Sequence, residues 1–230
     1  MPIHLSNRKR AALAAATAIL VLAACRAPSP IPATPAPPPA PAPTAVLPDH
    51  GGTLAIDPAA SLIAITVRRG GPLARLGHDH VVAARTVGGS VDPVQGRATL
   101  RFRLDELTVD ESALRSQAGL DTQPSADAIA GTRRNMLTRV LDAERYPWVA
   151  VAIERTGAAA VSAAVTLHGV TRRYDVPVRV DQSAAGLNAS GTLSLRQTDF
   201  GLVPFAVLGG ALAVQDELAL RFDIVARRAR

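Results

Sequence analysis

The carboxyl-terminal third of the sequence alternates apolar and polar residues over several short stretches. Val161–Leu167 is followed by the turn residues His168-Gly169, and Tyr174–Val180 then carries a valine at every second position. Such alternation places one set of side chains on each face of a strand, so the two stretches predict a β-hairpin. Leu193–Leu195 and Leu218–Val225 continue the pattern with no predicted helix between them. These strands require an antiparallel sheet that closes on itself or packs on another, because open edges leave backbone hydrogen-bonding groups unpaired.

Further strands and one helix are predicted upstream. Leu62–Val67, Ala98–Leu104 and Trp148–Ile153 have the alternating or continuous apolar pattern of strands that are buried on at least one face. Before the last of these, Ser125–Leu141 spaces its apolar residues as on one face of a helix, with a serine at the N-cap position. Val87–Val91, with two adjacent glycines, predicts a sharp turn into the following strand. The chain is therefore predicted to be all-β with a short helical excursion.

Residues 1–25 have the pattern of a bacterial lipoprotein signal peptide. A basic segment, Arg8–Arg10, precedes the apolar run Ala11–Ala24, which is shorter than the roughly 20 residues that span a bilayer. The run ends in Leu-Ala-Ala before Cys25, which resembles a lipobox, whose cysteine is acylated and becomes the new amino terminus. Cys25 is the only cysteine, so it cannot form an internal disulfide. Arg26 stands where an inner-membrane retention signal would usually have Asp. We therefore expect a periplasmic protein anchored by lipid at Cys25, in the outer membrane.

Residues 26–49 form a linker that is rich in proline and alanine. Ala27–Pro48 contains 10 of the 18 prolines. Because proline fixes φ and has no amide hydrogen, the segment is predicted to be a semi-rigid spacer. A ligand for an SH3-type groove is the alternative, but such grooves are not expected outside the cell. Residues 50–230 remain as a single predicted domain.

The charge and the motifs exclude several classes of function. The formal net charge is +6, but Arg8, Lys9 and Arg10 belong to the predicted signal peptide, and the other basic residues alternate with acidic ones. The sequence has no helix-turn-helix, RNP-like aromatic run or Cys/His finger spacing, so no nucleic-acid partner is predicted. It also has no Gly-x-Ser-x-Gly nucleophile elbow, and its one cysteine is assigned to the anchor. The chain is predicted to be a binding protein and not an enzyme, with no cofactor.

The composition predicts an aliphatic interior. Hydrophobic residues make up 48% of the chain, whereas aromatic residues make up 3%, and an interior of this kind suits a long hydrocarbon. An eight-stranded barrel is either filled by its own side chains or holds one small ligand, depending on their size. The predicted strands carry many alanines that could face inward: Ala64, Ala83, Ala98, Ala150, Ala152 and Ala163. Five aromatic residues could fill the space instead: Phe102, Trp148, Phe200, Phe205 and Phe222.

Four segments carry a likeness to a known family. They are Ala130–Leu137, Tyr146-Pro147, Val165–Thr171 and Arg196–Gly201. Their order resembles the YceI-like family of polyisoprenoid-binding, lipocalin-like proteins, and the likeness runs from about Leu54 to Ala226. The resemblance implies an antiparallel, lipocalin-like β-barrel of about eight strands with a helix at its side. It also implies an apolar cavity along the barrel axis that takes an isoprenoid tail.

Gly77–His80, with the sequence Gly-His-Asp-His, is the densest cluster of polar residues in the chain. On a strand His78 and His80 would project to one face and Asp79 to the other. The two imidazoles could share a metal ion, but zinc or copper usually takes three or four ligands. The alternative is that hydrogen-bonded histidines orient a ligand. We predict no bound metal and keep His78 and His80 as the candidates if one binds.

Several other side chains are predicted to contact the ligand. Arg75 and Arg133 could grip a phosphate or could form surface ion pairs. The remaining candidates are His168, Phe102, Trp148 and Phe200. The predicted function is to bind or carry an isoprenoid or other long-chain lipid, and a quinone, a prenyl phosphate and a fatty acid would all fit. The alternatives are a metal-dependent protein built on Gly77–His80 and a solid barrel that acts as an interaction module.

Overall fold

The computed structural model describes residues 52–120 and 122–228, and the predicted signal peptide, Cys25 and the proline-rich linker lie outside them. The strands are β1 (Leu54–Ile56), β2 (Leu62–Gly70), β3 (His80–Ala84), β4 (Gly88–Asp92), β5 (Arg97–Arg103), β6 (Thr108–Val109), β7 (Trp148–Arg155), β8 (Ala160–Leu167), β9 (Val170–Ser183), β10 (Gly186–Arg196), β11 (Ala206–Val207) and β12 (Leu212–Arg228). The helices are α1 (Ser112–Gln117) and α2 (Ala126–Asn135), and α2 continues into a π turn at Met136–Val140.

Eight of the strands form a closed antiparallel ring. Its order is β1, β4, β5, β7, β8, β9, β10 and β12, and β12 pairs back onto β1. The closing register sets Leu54 opposite Arg228 and Ile56 opposite Ala226. Closure pairs the backbone groups that an open edge would leave exposed. The predicted eight-stranded, lipocalin-like barrel is confirmed.

Strands β2, β3 and β6 extend the wall at one end of the barrel. The long strand β12 pairs with β2 along Ala213–Asp223 and with β1 beyond that segment. β3 pairs with β2, which sets His80 opposite Val67, and β6 pairs with β3. From the helical segment, Met136 and Leu141 pack against the barrel core. At this end of the barrel the start of β3 therefore lies close to the helical segment.

The predicted hairpin and helix are both confirmed. β8 and β9 pair in a register that sets Leu167 opposite Val170. His168 and Gly169 between them have positive φ angles of 52° and 74°, as a tight two-residue turn requires. In the helix, the Ser125 side chain accepts a hydrogen bond from the amide of Ala128 at 3.2 Å, which makes it the predicted N-cap. None of the helices in the described ranges is long and apolar enough to cross a bilayer.

The turn predicted at Val87–Val91 is wrong. Those residues belong largely to β4, and the chain turns at 93–96, where the Asp92 carboxylate accepts two backbone N–H bonds. Gly89 has a φ of 142°, and a Cβ on it would lie 2.0 Å from the carbonyl oxygen of Thr99. The glycine is therefore required because two strands approach closely, and not because the chain reverses there.

The inward faces of the barrel strands are mostly aliphatic. On β7, Val149, Val151 and Ile153 belong to the core or pack against it. Ala150 and Ala152 point outward and are exposed, which corrects their predicted inward placement. Two more of the predicted inward alanines, Ala64 and Ala83, pack with Val81 and Leu114 of α1 in a smaller cluster.

Candidate functional site

A cavity of about 550 Å³ lies inside the barrel. Small-molecule sites typically enclose about 300–1,000 Å³. The cavity wall carries aliphatic side chains from β2, β5, β7, β8, β9, β10 and β12, among them Ile65, Leu100, Val151, Val165, Val176 and Leu220. Ala98, Ala163 and Ala189 also line it. Since these side chains are too small to meet across an eight-stranded barrel, the interior is left open.

The cavity wall follows the strands from one end of the barrel to the other. On β12 it extends from Ile224 to Leu212. One end lies beside the turn at 93–96. The other end lies beside Met136 and contains six polar side chains, Arg69, His78, His80, Thr132, Asn135 and Gln197. Asp92, Arg97 and Arg155 line the end at the turn. The site therefore has the shape and polarity to hold an elongated apolar molecule whose polar group lies at an end of the cavity.

His80 is held by a buried carboxylate. Its Nδ1 lies 2.6 Å from Asp110 Oδ2, and the Asp110 side chain has no exposed surface. The same carboxylate accepts the backbone N–H of Val81 at 3.0 Å, and the backbone N–H of Asp110 donates to the Val81 carbonyl at 2.7 Å. Asp110 adopts a positive φ of 58° to make both contacts. These bonds fix the imidazole plane against the cavity.

Arg115 of α1 neutralises Asp110. Its Nη1 lies 2.6 Å from Asp110 Oδ1, and only 2% of the arginine side chain is exposed. Nη1 also donates to the carbonyl of Asp79 at 2.7 Å, and Nη2 donates to the carbonyl of Thr122. A buried pair of this kind is retained where both partners are also hydrogen-bonded to their surroundings. Arg115 thus ties α1 to the Gly-His-Asp-His segment and completes the support behind His80.

Asp79 points away from His80, as its position in the sequence predicts. Its carboxylate accepts the backbone N–H of Arg69 at 2.9 Å and a side-chain N–H of Arg68 at 2.9 Å. Arg69 Nε is 3.7 Å from the same carboxylate, and Arg69 Nη1 donates to the carbonyl of Gly77 at 2.6 Å. The Arg69 side chain that lines the cavity is therefore held by the loop that carries His78.

The two carboxylates of this network remain ionised to unusually low pH. Burial acts to raise the pKa of Asp110, but hydrogen bonds from His80, the Val81 amide and Arg115 outweigh it and lower the pKa below its ordinary value. Burial also acts to raise the pKa of Asp79, and the contacts with Arg69 and Arg68 lower it on balance. At neutral pH both carboxylates are therefore ionised and can only accept hydrogen bonds.

His78 and His80 both line the cavity, as their spacing predicts, although β3 begins only at His80. Their ring centroids are 6.3 Å apart and their planes are tilted by 68°. Within residues 52–120 and 122–228, no group of three His, Cys, Asp or Glu side chains is arranged to hold a metal ion. Nδ1 of His80 is also occupied by Asp110. The arrangement here is one of hydrogen-bonding groups facing an apolar space.

The structure places the other predicted arginines outside the cavity wall. Arg75 is exposed on the short helical turn Ala74–Leu76. Arg133 lies on α2, where Nε donates to the carbonyl of Leu107 at 3.2 Å and Nη2 donates to the carbonyl of Asp105. Arg133 therefore fastens the helix to the connection between β5 and β6.

The other four residues that were predicted to contact the ligand lie in different parts of the structure. Phe102 is buried and lines the cavity. Trp148 lies outside the cavity wall, with the guanidinium carbons of Arg101 and Arg103 5.3 and 5.2 Å from its ring centroid. Phe200 is fully buried but is not part of the cavity wall. His168 lies in the β8–β9 turn, where its ring centroid is 4.4 Å from that of Tyr146.

Comparison with known proteins identifies the family. Residues 54–226 match the family model of the YceI-like domain. The chain belongs to the YceI-like domain family. The described YceI-like domain is similar to a solved polyisoprenoid binding domain from Saccharophagus degradans implicated in plant cell wall breakdown. The TM-score is 0.56 at 15% identity, over 77% of this chain and 99% of that one.

A second solved structure shows the same fold. BcnA of Burkholderia cenocepacia matches with a TM-score of 0.50 at 18% identity, over 74% of this chain and 99% of its own. A comparison with curated proteins gives no match. At these identities the likeness concerns the fold, so the polar groups of the cavity have to be interpreted from the residues of this YceI-like domain.

Sequence patterns alone did not find Asp110, Arg115, Arg69 or Gln197. Asp110 and His80 are 30 positions apart, and no local spacing connects them. Arg69 was detectable in principle, because the inward alternation of β2 through Ile65 and Val67 continues to it. Gln197 is buried and donates to the Gln215 carbonyl at 2.8 Å, which places it beside Arg69 in this YceI-like domain.

Proposed function

We propose that this YceI-like domain binds an isoprenoid or similar long-chain lipid inside its barrel. The observation that carries the proposal is the cavity of about 550 Å³, which is aliphatic along the strands and has its polar groups at the ends. Burying about 500 Å² of an apolar tail at about 25 cal/mol per Å² would contribute on the order of 12 kcal/mol before ordering costs. That is sufficient to retain a lipid through purification. The polyisoprenoid binding named for the similar Saccharophagus degradans domain supports the same ligand class.

We also propose where in the cell the protein acts. The pattern of residues 1–25 supports export and acylation at Cys25, and the proline-rich residues 26–49 support a spacer between the anchor and the domain. At about 3.1 Å per residue, an extended spacer of this length reaches roughly 70 Å. The function would then be to hold or carry a lipid in the periplasm, close to the outer membrane that anchors the protein.

Lipid extraction after native mass spectrometry tests the binding function. The full protein is purified from its own source in a detergent that does not resemble an isoprenoid. We expect a discrete mass adduct of one lipid per chain, and extraction should identify it as a molecule with a long unbranched or isoprenoid tail. A protein that carries no lipid, and that takes up none when incubated with isoprenoids, would contradict the proposal and favour an interaction module.

A further inference from the structure

His80 offers one hydrogen-bonding atom to the cavity. Its ring lines the cavity, and Nδ1 is bonded to Asp110. No hydrogen bond joins Nε2 to any other residue in the described part of the chain. Nε2 is therefore the atom that can meet a ligand.

The buried network fixes the chemistry of that atom. Because the Asp110 carboxylate can only accept, the hydrogen of a neutral His80 ring lies on Nδ1 and leaves a lone pair on Nε2. Arg115, 2.6 Å from the other carboxylate oxygen, already balances the charge of Asp110. Asp110 thus sets the tautomer, and Nε2 is an acceptor.

Arg69, the arginine that lines this end of the cavity, already has partners within the chain. Arg69 donates to the Gly77 carbonyl at 2.6 Å and has its Nε 3.7 Å from Asp79, which also binds Arg68 at 2.9 Å. A phosphate is bound most strongly where an arginine can direct its free N–H groups at it. Here the guanidinium already donates to a backbone carbonyl and lies beside the Asp79 carboxylate, and the lone pair on His80 Nε2 would repel a phosphate oxygen.

We infer that the His80 end of the cavity is a headgroup site for an uncharged hydroxyl, and that it selects hydroxyl-terminated isoprenoids over prenyl phosphates. The inference rests on the proposed lipid-binding function and adds the chemistry of the headgroup. The hydroxyl donates its hydrogen to His80 Nε2, while the hydrocarbon lies along the aliphatic wall. Asp110 is a positioning residue, because it acts through the ring of His80.

Three probes with the same tail distinguish the headgroups. Delipidated full-length protein is titrated calorimetrically with farnesol, farnesyl methyl ether and farnesyl phosphate. The ether keeps the oxygen but cannot donate a hydrogen bond. We expect farnesol to bind about five- to tenfold more tightly than the ether, which is the value of one neutral hydrogen bond. We expect the phosphate to bind more weakly than the alcohol.

Two variants test the residues. His80→Phe keeps a ring of similar size without the acceptor, so the ratio of farnesol affinity to ether affinity should fall to about one. In Asp110→Asn the amide oxygen can still accept from Val81 and Arg115, and the amide NH₂ then donates to His80 Nδ1. The ring hydrogen moves to Nε2, so the preference for alcohol over ether should fall towards one. Nitrogen NMR of the His80 ring reports the tautomer directly in both the wild type and Asp110→Asn.

The outcomes separate this inference from the proposed function. If all three probes bind but the alcohol has no advantage over the ether, or the phosphate binds most tightly, the headgroup inference is overturned and lipid binding stands. An alcohol preference that survives in His80→Phe also overturns it. If none of the probes binds, both the proposed function and this inference fail. The inference holds only if the alcohol preference is present in the wild type and is lost in His80→Phe.

Discussion

His80 Nδ1 lies 2.6 Å from Asp110 Oδ2, although the two residues are 30 positions apart in the chain. The contact joins the first residue of β3 to the connection between β6 and α1, and Arg115 extends it into the helix. All three side chains are held by hydrogen bonds, and two of them are almost completely buried. The orientation of the imidazole at the end of the cavity therefore depends on a charge pair that the solvent does not reach.

Removing the Asp110 carboxylate should destabilise the fold severely. In Asp110→Ala the Arg115 guanidinium remains buried without its counter-charge, and breaking one side of such a pair costs about 3–5 kcal/mol. Urea denaturation should show the loss as a lower midpoint with an unchanged slope.

An exposed ion pair provides the control for this loss. Arg179 and Asp181 are 3.0 Å apart, but their side chains are 79% and 61% exposed. Asp181→Ala should change the free energy of unfolding by no more than about 0.5 kcal/mol, because solvent screens such pairs. If Asp110→Ala costs no more than Asp181→Ala, the buried network does not support the site as described.

Asp110 should also make stability depend on pH in the acid range. Its pKa in the folded protein is below the ordinary value of 3.8, so the unfolded chain takes up a proton first as the pH falls. The resulting stabilisation is complete above about pH 4 and is lost as the pH falls through the folded-state pKa. Asp110→Asn should therefore lose less stability than the wild type between about pH 4 and pH 2. Parallel acid titrations by circular dichroism would contradict this if the two curves had the same slope.

Much of the fold was predictable because the alternating residues of a barrel strand and the residues of its turns are adjacent in the sequence. The valines of β9 at every second position and the His168-Gly169 turn are sufficient to define a hairpin. Ser125 marks the start of α2 in the same way. The error at Val87–Val91 arose because Gly89 is required by a close approach between strands, and only the Thr99 carbonyl on the neighbouring strand β5 reveals it.

The site was less predictable because it is assembled from distant segments. His78 and His80 stand out in the sequence, but Asp110 and Arg115 resemble ordinary surface charges until the fold buries them. Trp148 is the opposite case: it is apolar enough for an interior, but it lies outside the cavity wall with two arginines close to its ring. Which alternate residues of a strand face the core is fixed by how the strand pairs with its neighbours. A short stretch such as Ala150–Ala152 therefore does not reveal which face is inward.

The proposed anchor predicts a simple change in location. Cys25→Ser removes the thiol to which acyl chains would be attached, and stable anchoring depends on those chains. Membrane fractions of cells that express Cys25→Ser should lose the protein, and the soluble periplasmic fraction should gain it. Ala24→Ser, next to the thiol, controls for changes in expression. A Cys25→Ser protein that stays in the membrane fraction would contradict acylation at this residue.

The two alanines on paired strands give the sharpest test of the cavity. Ala163 on β8 is 6% exposed and lines the cavity, whereas Ala152 on β7 is exposed on the outer face. In Ala163→Trp the indole should occupy the space of the lipid tail, with a stability cost of about 1–3 kcal/mol at most because the cavity accommodates it. Ala152→Trp adds the same side chain outside the barrel. Mass spectrometry of the purified variants should find lipid with Ala152→Trp and none with Ala163→Trp, while circular dichroism shows both folded. If Ala163→Trp retained the same lipid, the tail would not run past Ala163, because the indole would occupy its path along this wall.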